Sequence, residues 1–284
     1  MKKYWHVCTE GLKQGVIFSD REDFVFGMNG IPVCALKHRI LVLAFCLMDN
    51  HVHFIVAGEE QDCRKFAFSY RRRLSVLADM EGSDVCMKAI GDMEYLRMAI
   101  GYVLRNPMDA GGKELPFYYE WGSGALYFRG DVSVPSRGRN SQSVADVGPK
   151  KMRALLKSNF ILPDHYVVSP EGMVLPENYV RADIVERVFG LPVRLIYSVL
   201  RNDTVEMELA GEVLRKVRYT DMELAGSVKG LCRQKFRAES PESLAVEDRC
   251  RLADLLRKRY GIGIKQISRL TGVNPEILSR MFGR

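Results

Sequence analysis

Arg39–Ala57 reads RILVLAFCLMDNHVHFIVA, and this stretch decides the fold class. Arg39 to Met48 is a nearly continuous apolar run of strand length, and His51 to Ala57 is a second. Asp49-Asn50 between them is a turn signal of the kind that closes hairpins. The stretch therefore predicts an antiparallel strand pair. His51 and His53 stand two apart on the second strand, so both imidazoles project from one face of the sheet. Two neutral imidazoles side by side are ready ligands for a divalent metal. Chance alternation explains most His-x-His pairs, but here two of the five histidines follow directly on a tight turn. Ile55 stands where a histidine-triad nucleotide hydrolase needs a third histidine, which argues against that use.

Working outward, Tyr4 to Thr9 reads as a strand and Val16 to Asp20 as a short extended piece. Arg64 to Met80 turns helical and basic, with Arg71, Arg72 and Arg73 in its middle. Asp92 to Arg105 is helical again, and Pro107 is expected to stop it because Asn106 should leave the helical region before a proline. Tyr102 and Asn106 are four apart and share one helical face. If that face lies across the sheet from His51 and His53, Asn106 brings its carbonyl oxygen to the metal and Tyr102 is held over the same ion. A tyrosine oxygen, a poor nucleophile at its free pKa of about 10, can then attack a metal-polarised phosphodiester. Core packing for Tyr102 and a helix-end role for Asn106 explain the same spacing equally well.

The chain has 284 residues, enough for two or three compact units, and 47% hydrophobic with 27% charged residues is ordinary for a soluble protein. The basic start, Met1 to His6, has no apolar run behind it, so no secretory signal is expected, and no stretch is apolar enough to span a membrane. Seven cysteines with no Cys-x-x-Cys pair read as reduced thiols of a cytoplasmic protein, Cys46 among them as a core residue. A net charge of +7 permits a polyanionic partner without proving one.

Asp131 to Lys150, rich in Ser, Gly and Pro, reads as a linker between a domain over residues 1–130 and a helical support region over 151–246. Within that region Lys151 to Asn159 is helical, Ile161 to Leu175 irregular, and Arg181 to Leu200 helical in two pieces around Gly190 and Pro192. Residues 247–284 form a three-helix, helix-turn-helix-like pattern: Leu252 to Tyr260, Ile264 to Leu270, a turn at Thr271-Gly272-Val273, then a helix capped by Asn274 with Pro275 in its first turn, ending at Met281. Its expected core is Ile267, Leu270, Val273, Ile277, Leu278 and Met281, and its polar faces carry Gln266, Arg269, Glu276, Ser279 and Arg280.

Four blocks in order carry a resemblance. Leu47 to Val56 (LMDNHVHFIV) resembles the "MPNHVHFLI" hairpin of the REP-associated tyrosine transposases and their IS200-like relatives, single-tyrosine HUH enzymes. Tyr102 to Gly111 (YVLRNPMDAG) is similar to their "YIxxNPVRAG" helix end, and Trp5-His6-Val7 with Ile17-Phe18 to their opening "YHV…IF". Glu120 to Ser123 with Tyr127 is a looser likeness of "WSSY…Y". The resemblance implies an α+β fold with a ferredoxin-like antiparallel sheet backed by helices. It implies Mg²⁺ or Mn²⁺ on His51, His53 and Asn106. It also implies that Tyr102 cleaves single-stranded or hairpin DNA through a covalent 5′-phosphotyrosine, leaving a 3′-OH that can join strands. Some relatives exchange the tyrosine helix between two subunits, so a homodimer is among the arrangements it allows. Departures are Asp49 for a proline, Glu10-Gly11 where a basic residue often precedes glycine, and Gly122 and Gly124 in the last block.

Arg64, Lys65, Arg71, Arg72 and Arg73 are then candidate phosphate contacts, with Phe68 and Tyr70 available for base stacking or for the core. Arg269 and Arg280 are the DNA-facing cations expected of the C-terminal segment. The expected function is site-specific cleavage and joining of single-stranded DNA by a metal-dependent single-tyrosine strand transferase. Its rivals are a DNA-binding regulator that keeps the fold without the catalysis, and a metal-dependent phosphoesterase on small nucleotides.

Overall fold

The computed structural model describes residues 3–9, 16–78, 84–110, 115–129, 140–200, 221–260 and 262–282. The chain is α+β. Strand β1 (Lys3–Thr9) leads to helix α1 (Arg21–Lys37), strands β2 (Leu41–Met48) and β3 (His51–Gly58), helix α2 (Glu60–Leu74), strand β4 (Val85–Ile90) and helix α3 (Met93–Asp109). The four strands form one sheet in the order β2-β3-β1-β4 with every neighbouring pair antiparallel. Two βαβ units therefore interleave: β1-α1-β2 straddles β3, and β3-α2-β4 straddles β1. The predicted hairpin is present, with Leu47 opposite Val52, Met48 opposite His51, and Asp49-Asn50 as the turn.

Opposed residues of an antiparallel pair share a face, which sorts the sheet into two sides. On one side Phe54 meets the rings of Phe66 and Tyr70 of α2 at 5.3 and 5.0 Å, and Tyr70 Oη donates to the Gly27 carbonyl of α1. Helices α1 and α2 therefore cover that side. Helix α3 covers the other, where its Tyr102 ring meets His6 and His53.

Several expectations need correcting. Val16 to Asp20, expected as a short extended piece, joins no sheet: the Ile17 and Phe18 amides both donate to the Asp49 carbonyl, and Asp20, itself extended, caps α1. Helix α2 starts at Glu60 and ends at Leu74, earlier at both ends than the expected Arg64 to Met80, and residues 79–80 lie outside the described residues. Pro107 does not end α3; it sits inside the helix, which runs on to Asp109. A proline this close to a C-terminus removes a single ladder bond. The last turn is held instead by Ala110 N–H to the Asn106 carbonyl and by Asn106 Nδ2 to the Tyr102 carbonyl.

The expected linker is also only partly described, since residues 131–139 lie outside the described residues. Its later part is structured: β5 (Gln142–Ser143), α4 (Val144–Val147) and the start of α5 (Pro149–Leu156), with β6 (Val167–Val168) paired to β5. Val144, Met152 and Leu156 belong to the same hydrophobic core as the sheet, as do residues of α6 (Ala182–Phe189) and α7 (Pro192–Leu200). A separate core gathers Leu224, Leu231, Leu252, Leu256, Ile267, Val273 and Leu278. The region expected as one support over residues 151–246 is thus divided between two cores.

That second core is built by α8 (Asp221–Leu231), α9 (Val246–Tyr260), α10 (Ile264–Thr271) and α11 (Pro275–Met281). Asn274 caps α11 by accepting from Glu276 N–H, and Gly272 takes the left-handed conformation that ends α10. Ile277 and Met281, expected in the core, are both 42% exposed, because Leu278 alone of that helix points inward.

The segment after α3 seals the outer edge of β2. Ser123 exchanges hydrogen bonds with Phe45, Tyr119 and Tyr127 hydroxyls donate to the Leu47 and Leu43 carbonyls, and Leu47 N–H donates to Trp121. The block left without a role by its sequence therefore protects an edge strand.

Helix α7 packs against α3 at Gly101, where a Cβ would stand 2.6 Å from the Ser198 carbonyl oxygen. Alanine for glycine inside a helix ordinarily stabilises by about 0.5–1 kcal/mol. Gly101→Ala is expected to do the reverse, lowering unfolding free energy by about 1–3 kcal/mol in a urea titration, because α7 must move off α3.

Candidate metal centre and tyrosine

The site lies on the α3 side of the sheet. His53 is directly opposite Cys8 on β1, and Cys8 is opposite Cys86 on β4. His6, two residues before Cys8, faces the same way and stands opposite Ile55 and Lys88. His51 and His53 meet edge to face with ring centroids 4.7 Å apart. The Tyr102 ring descends from α3 and stands edge-on to both His53 and His6, at 5.7 and 5.8 Å. Three elements distant in sequence thus bring four aromatic side chains to one point.

The surroundings set the protonation of each group. His51 Nδ1 lies 2.7 Å from Asn50 Oδ1, an oxygen that can only accept, so Nδ1 carries the proton and the lone pair sits on buried Nε2. His53 Nδ1 faces His6 Nε2 at 3.4 Å. Burial lowers the His6 imidazolium to about 4, and the Lys88 ammonium adds to the shift, so the ring is neutral at neutral pH. Burial pushes the Tyr102 phenol well above its ordinary value, Cys8 adds to this, and a side-chain hydrogen bond from Asn106 opposes it. Asn106 is itself buried, and its Nδ2 donates to the Tyr102 carbonyl, which leaves the amide oxygen as the group it can offer elsewhere. Helix α3 is locked below by the buried Arg105, whose Nε is 3.2 Å from Asp109 Oδ2.

His6, Cys8 and His53 form a cluster in which one ligand atom of each lies within 4.8 Å of the others. The structure brings Tyr102 to His51 and His53, a meeting that the spacing of each pair left open, with Asn106 one turn along the tyrosine's helix. His6 and Cys8 were not anticipated as site residues. Their signal was present in the same form as the histidine pair: two ligand-type side chains two apart on a strand.

The predicted basic residues fall elsewhere. Arg64, Lys65, Arg71, Arg72 and Arg73 are on α2, which packs on the side of the sheet opposite the imidazoles. Arg64 pairs with Glu60 and Lys65 with Asp62 along the helix. Arg72 is exposed, whereas Arg73 lies over the Phe26 ring and donates to the Leu156 carbonyl at 2.6 Å. Tyr70 is core and Phe68 is exposed. Arg269 makes a two-pronged ion pair with Asp221, and Arg280 is exposed on α11. Lys88, opposite His6 on the imidazole side, was not singled out in the sequence.

No protein-family model matches the sequence, and no curated protein matches it either. Among solved structures the chain is similar to that of a REP-associated tyrosine transposase bound to a REP hairpin, at 13% identity and a TM-score of 0.34, over 48% of this chain and 91% of that one. At that TM-score the likeness adds nothing to what the strand order and the side-chain geometry say by themselves. Among the described residues no helix is long and apolar enough to cross a membrane.

Arg73 and its neighbour separate a packing role from a solvent-facing one. Arg73→Ala is expected to lower stability by about 1–3 kcal/mol, since it removes a charged hydrogen bond and a ring contact. Arg72→Ala should stay within about 0.5 kcal/mol of the parent in the same denaturant titration.

Proposed function

We propose that the chain is a metal-dependent, single-tyrosine DNA strand transferase, a transposase-like nuclease that cleaves and joins single-stranded, hairpin-forming DNA. The observation that carries this reading is the convergence of Tyr102 of α3 on His53 of β3, with centroids 5.7 Å apart, beside the second imidazole of the His51–His53 pair. Both segments are the ones whose sequences resemble the REP-associated tyrosine transposases. On this reading the β-α-β-β-α-β order with its interleaved strands is the ferredoxin-like core that the resemblance implies.

His51, His53 and Asn106 would hold Mg²⁺ or Mn²⁺. The donor set suits the role: Asn50 fixes the His51 tautomer with Nε2 as the ligating nitrogen, and the Asn106 amide keeps its oxygen for an ion while its nitrogen serves the helix. A bound ion supplies Lewis acidity and a template for the scissile phosphate. Tyr102 is the nucleophile. Its oxygen bonds to phosphorus, the bond to the 3′ oxygen breaks, and the strand is left as a 5′-phosphotyrosine with a free 3′-OH. Attack of a 3′-OH on that phosphotyrosine releases the tyrosine and joins strands. Burial keeps the phenol protonated until substrate and metal change its surroundings.

Lys88 is a cation on the side of the sheet that carries the imidazoles, and Arg64, Lys65, Arg71 and Arg72 would neutralise flanking phosphates on the other side. Helices α9 to α11 would serve as a helix-turn-helix that presents Arg280, with Arg269 engaged by Asp221. A second reading, a DNA-binding regulator without catalysis, is favoured by one observation: the basic residues of α2 stand across the sheet from the imidazoles and could bind DNA without them.

Labelled single-stranded hairpin oligonucleotides from the flanks of the gene, incubated with Mn²⁺ and run on a denaturing gel, decide between the two. The expected result is label migrating with the protein, absent in Tyr102→Phe and in EDTA. DNA binding with no adduct on any flank would establish the regulator instead. Asn50→Ala, which frees the His51 tautomer, should weaken Mn²⁺ binding about 10- to 100-fold by calorimetry.

A further inference from the structure

We infer a second metal site in this chain, a thiophilic one of the zinc class, formed by His6 Nε2, Cys8 Sγ and His53 Nδ1. It stands apart from the His51–His53–Asn106 set in donor chemistry and shares only His53 with it.

The spacing of the donor atoms fits a tetrahedral ion. His6 Nε2 and His53 Nδ1 face each other at 3.4 Å, long for a hydrogen bond between ring nitrogens. Two imidazole nitrogens each about 2.0–2.1 Å from a tetrahedral ion stand about 3.3–3.4 Å apart, which matches. Cys8 completes the triangle: its sulfur and one ring nitrogen from each histidine all lie within 4.8 Å of one another. The register explains why: Cys8 is directly opposite His53 across β1 and β3, and His6 is the next residue on the same face of β1. All three are buried, and the Tyr102 ring covers both imidazoles from the helix side.

The donor set selects the metal. Two imidazoles and a thiolate suit Zn²⁺ and its spectroscopic substitutes Co²⁺ and Cd²⁺; the soft thiolate is the donor that the His51–His53–Asn106 set lacks. Sharing His53 also has a consequence, which rests on the function proposed above. A neutral imidazole has one lone pair, so zinc on Nδ1 leaves the proton on Nε2 and withdraws His53 from the ion beside His51. Zinc at this site and Mn²⁺ at the other therefore exclude one another.

The test of the site itself needs no DNA chemistry. Co²⁺ is titrated into the metal-free protein under reducing conditions and the near-ultraviolet thiolate-to-cobalt absorption is followed. One equivalent should saturate the band, and Zn²⁺ should bleach it. The band should vanish in Cys8→Ser, weaken at least tenfold in affinity in His6→Ala, and persist in Cys86→Ser and His51→Ala. Absence of the band in the parent chain overturns the site, as does a band that survives Cys8→Ser or depends on Cys86. If Cys8→Ser fails to fold by circular dichroism, zinc-edge X-ray absorption of the parent protein replaces it. The expected shell has one sulfur at about 2.3 Å with imidazole nitrogens at about 2.0–2.1 Å, and a shell without sulfur overturns the site. Because none of these readouts involves cleavage, an inactive protein with an intact band refutes the function alone.

Discussion

The register between β1 and β3 is the constraint on which the site depends. Pairing Cys8 with His53 puts His6, Cys8, His51 and His53 on one face, and puts Val7 and Phe54 on the other, against α2. Side chains alternate strictly along a strand, so a slip of β3 by one residue would send His51 and His53 into the apolar layer beneath α1 and α2, away from His6 and Cys8. The apolar side is what prevents the slip. Phe54, Phe66 and Tyr70 pack as a ring cluster, Tyr70 is tied to the Gly27 carbonyl, and losing those contacts would cost several kcal/mol. The chemistry on one face is held in place by hydrophobic packing on the other.

A second layer of support fixes α3. Its N-terminus is capped by Asp92, its far end is held by the Arg105–Asp109 pair, and its outer side lies against α7 at Gly101. Tyr102 therefore has little freedom to leave the two imidazoles. Asn106 braces the turn that Pro107 weakens, its Nδ2 donating to the Tyr102 carbonyl. This explains why an Asn-Pro pair can lie inside a helix that a local rule would have ended.

What was hard to read had a physical cause in each case. Helix α1 carries Gly27, Gly30 and Pro32 and is buried on almost every side, so it shows neither helix-forming composition nor an amphipathic period. Strand β4 is short and half-buried, with no run of large apolar residues to mark it. The segment over 142–150 is polar enough to pass for a linker, yet Val144, with Met152 and Leu156 of the helix it leads into, anchors it to the core. Ile277 and Met281 fit a helical core stripe, but α11 is short and touches its neighbours mainly through Leu278.

By itself the sequence determined the hairpin at Asp49-Asn50, the common face of His51 and His53, the common face of Tyr102 and Asn106, and the capped helix from Pro275. All of these follow from local periodicity and turn chemistry, which act over a few residues. Only the tertiary structure decided that Tyr102 meets His53, that His6 and Cys8 join them, and that the arginines of α2 lie across the sheet from all four. Those facts depend on strand order and on which face each helix covers. Both are settled by packing between residues 45 to 100 positions apart in the chain, such as Cys8 with His53 and His6 with Tyr102. No local pattern encodes such distances, so the site is written in short pieces that only the assembled sheet brings together.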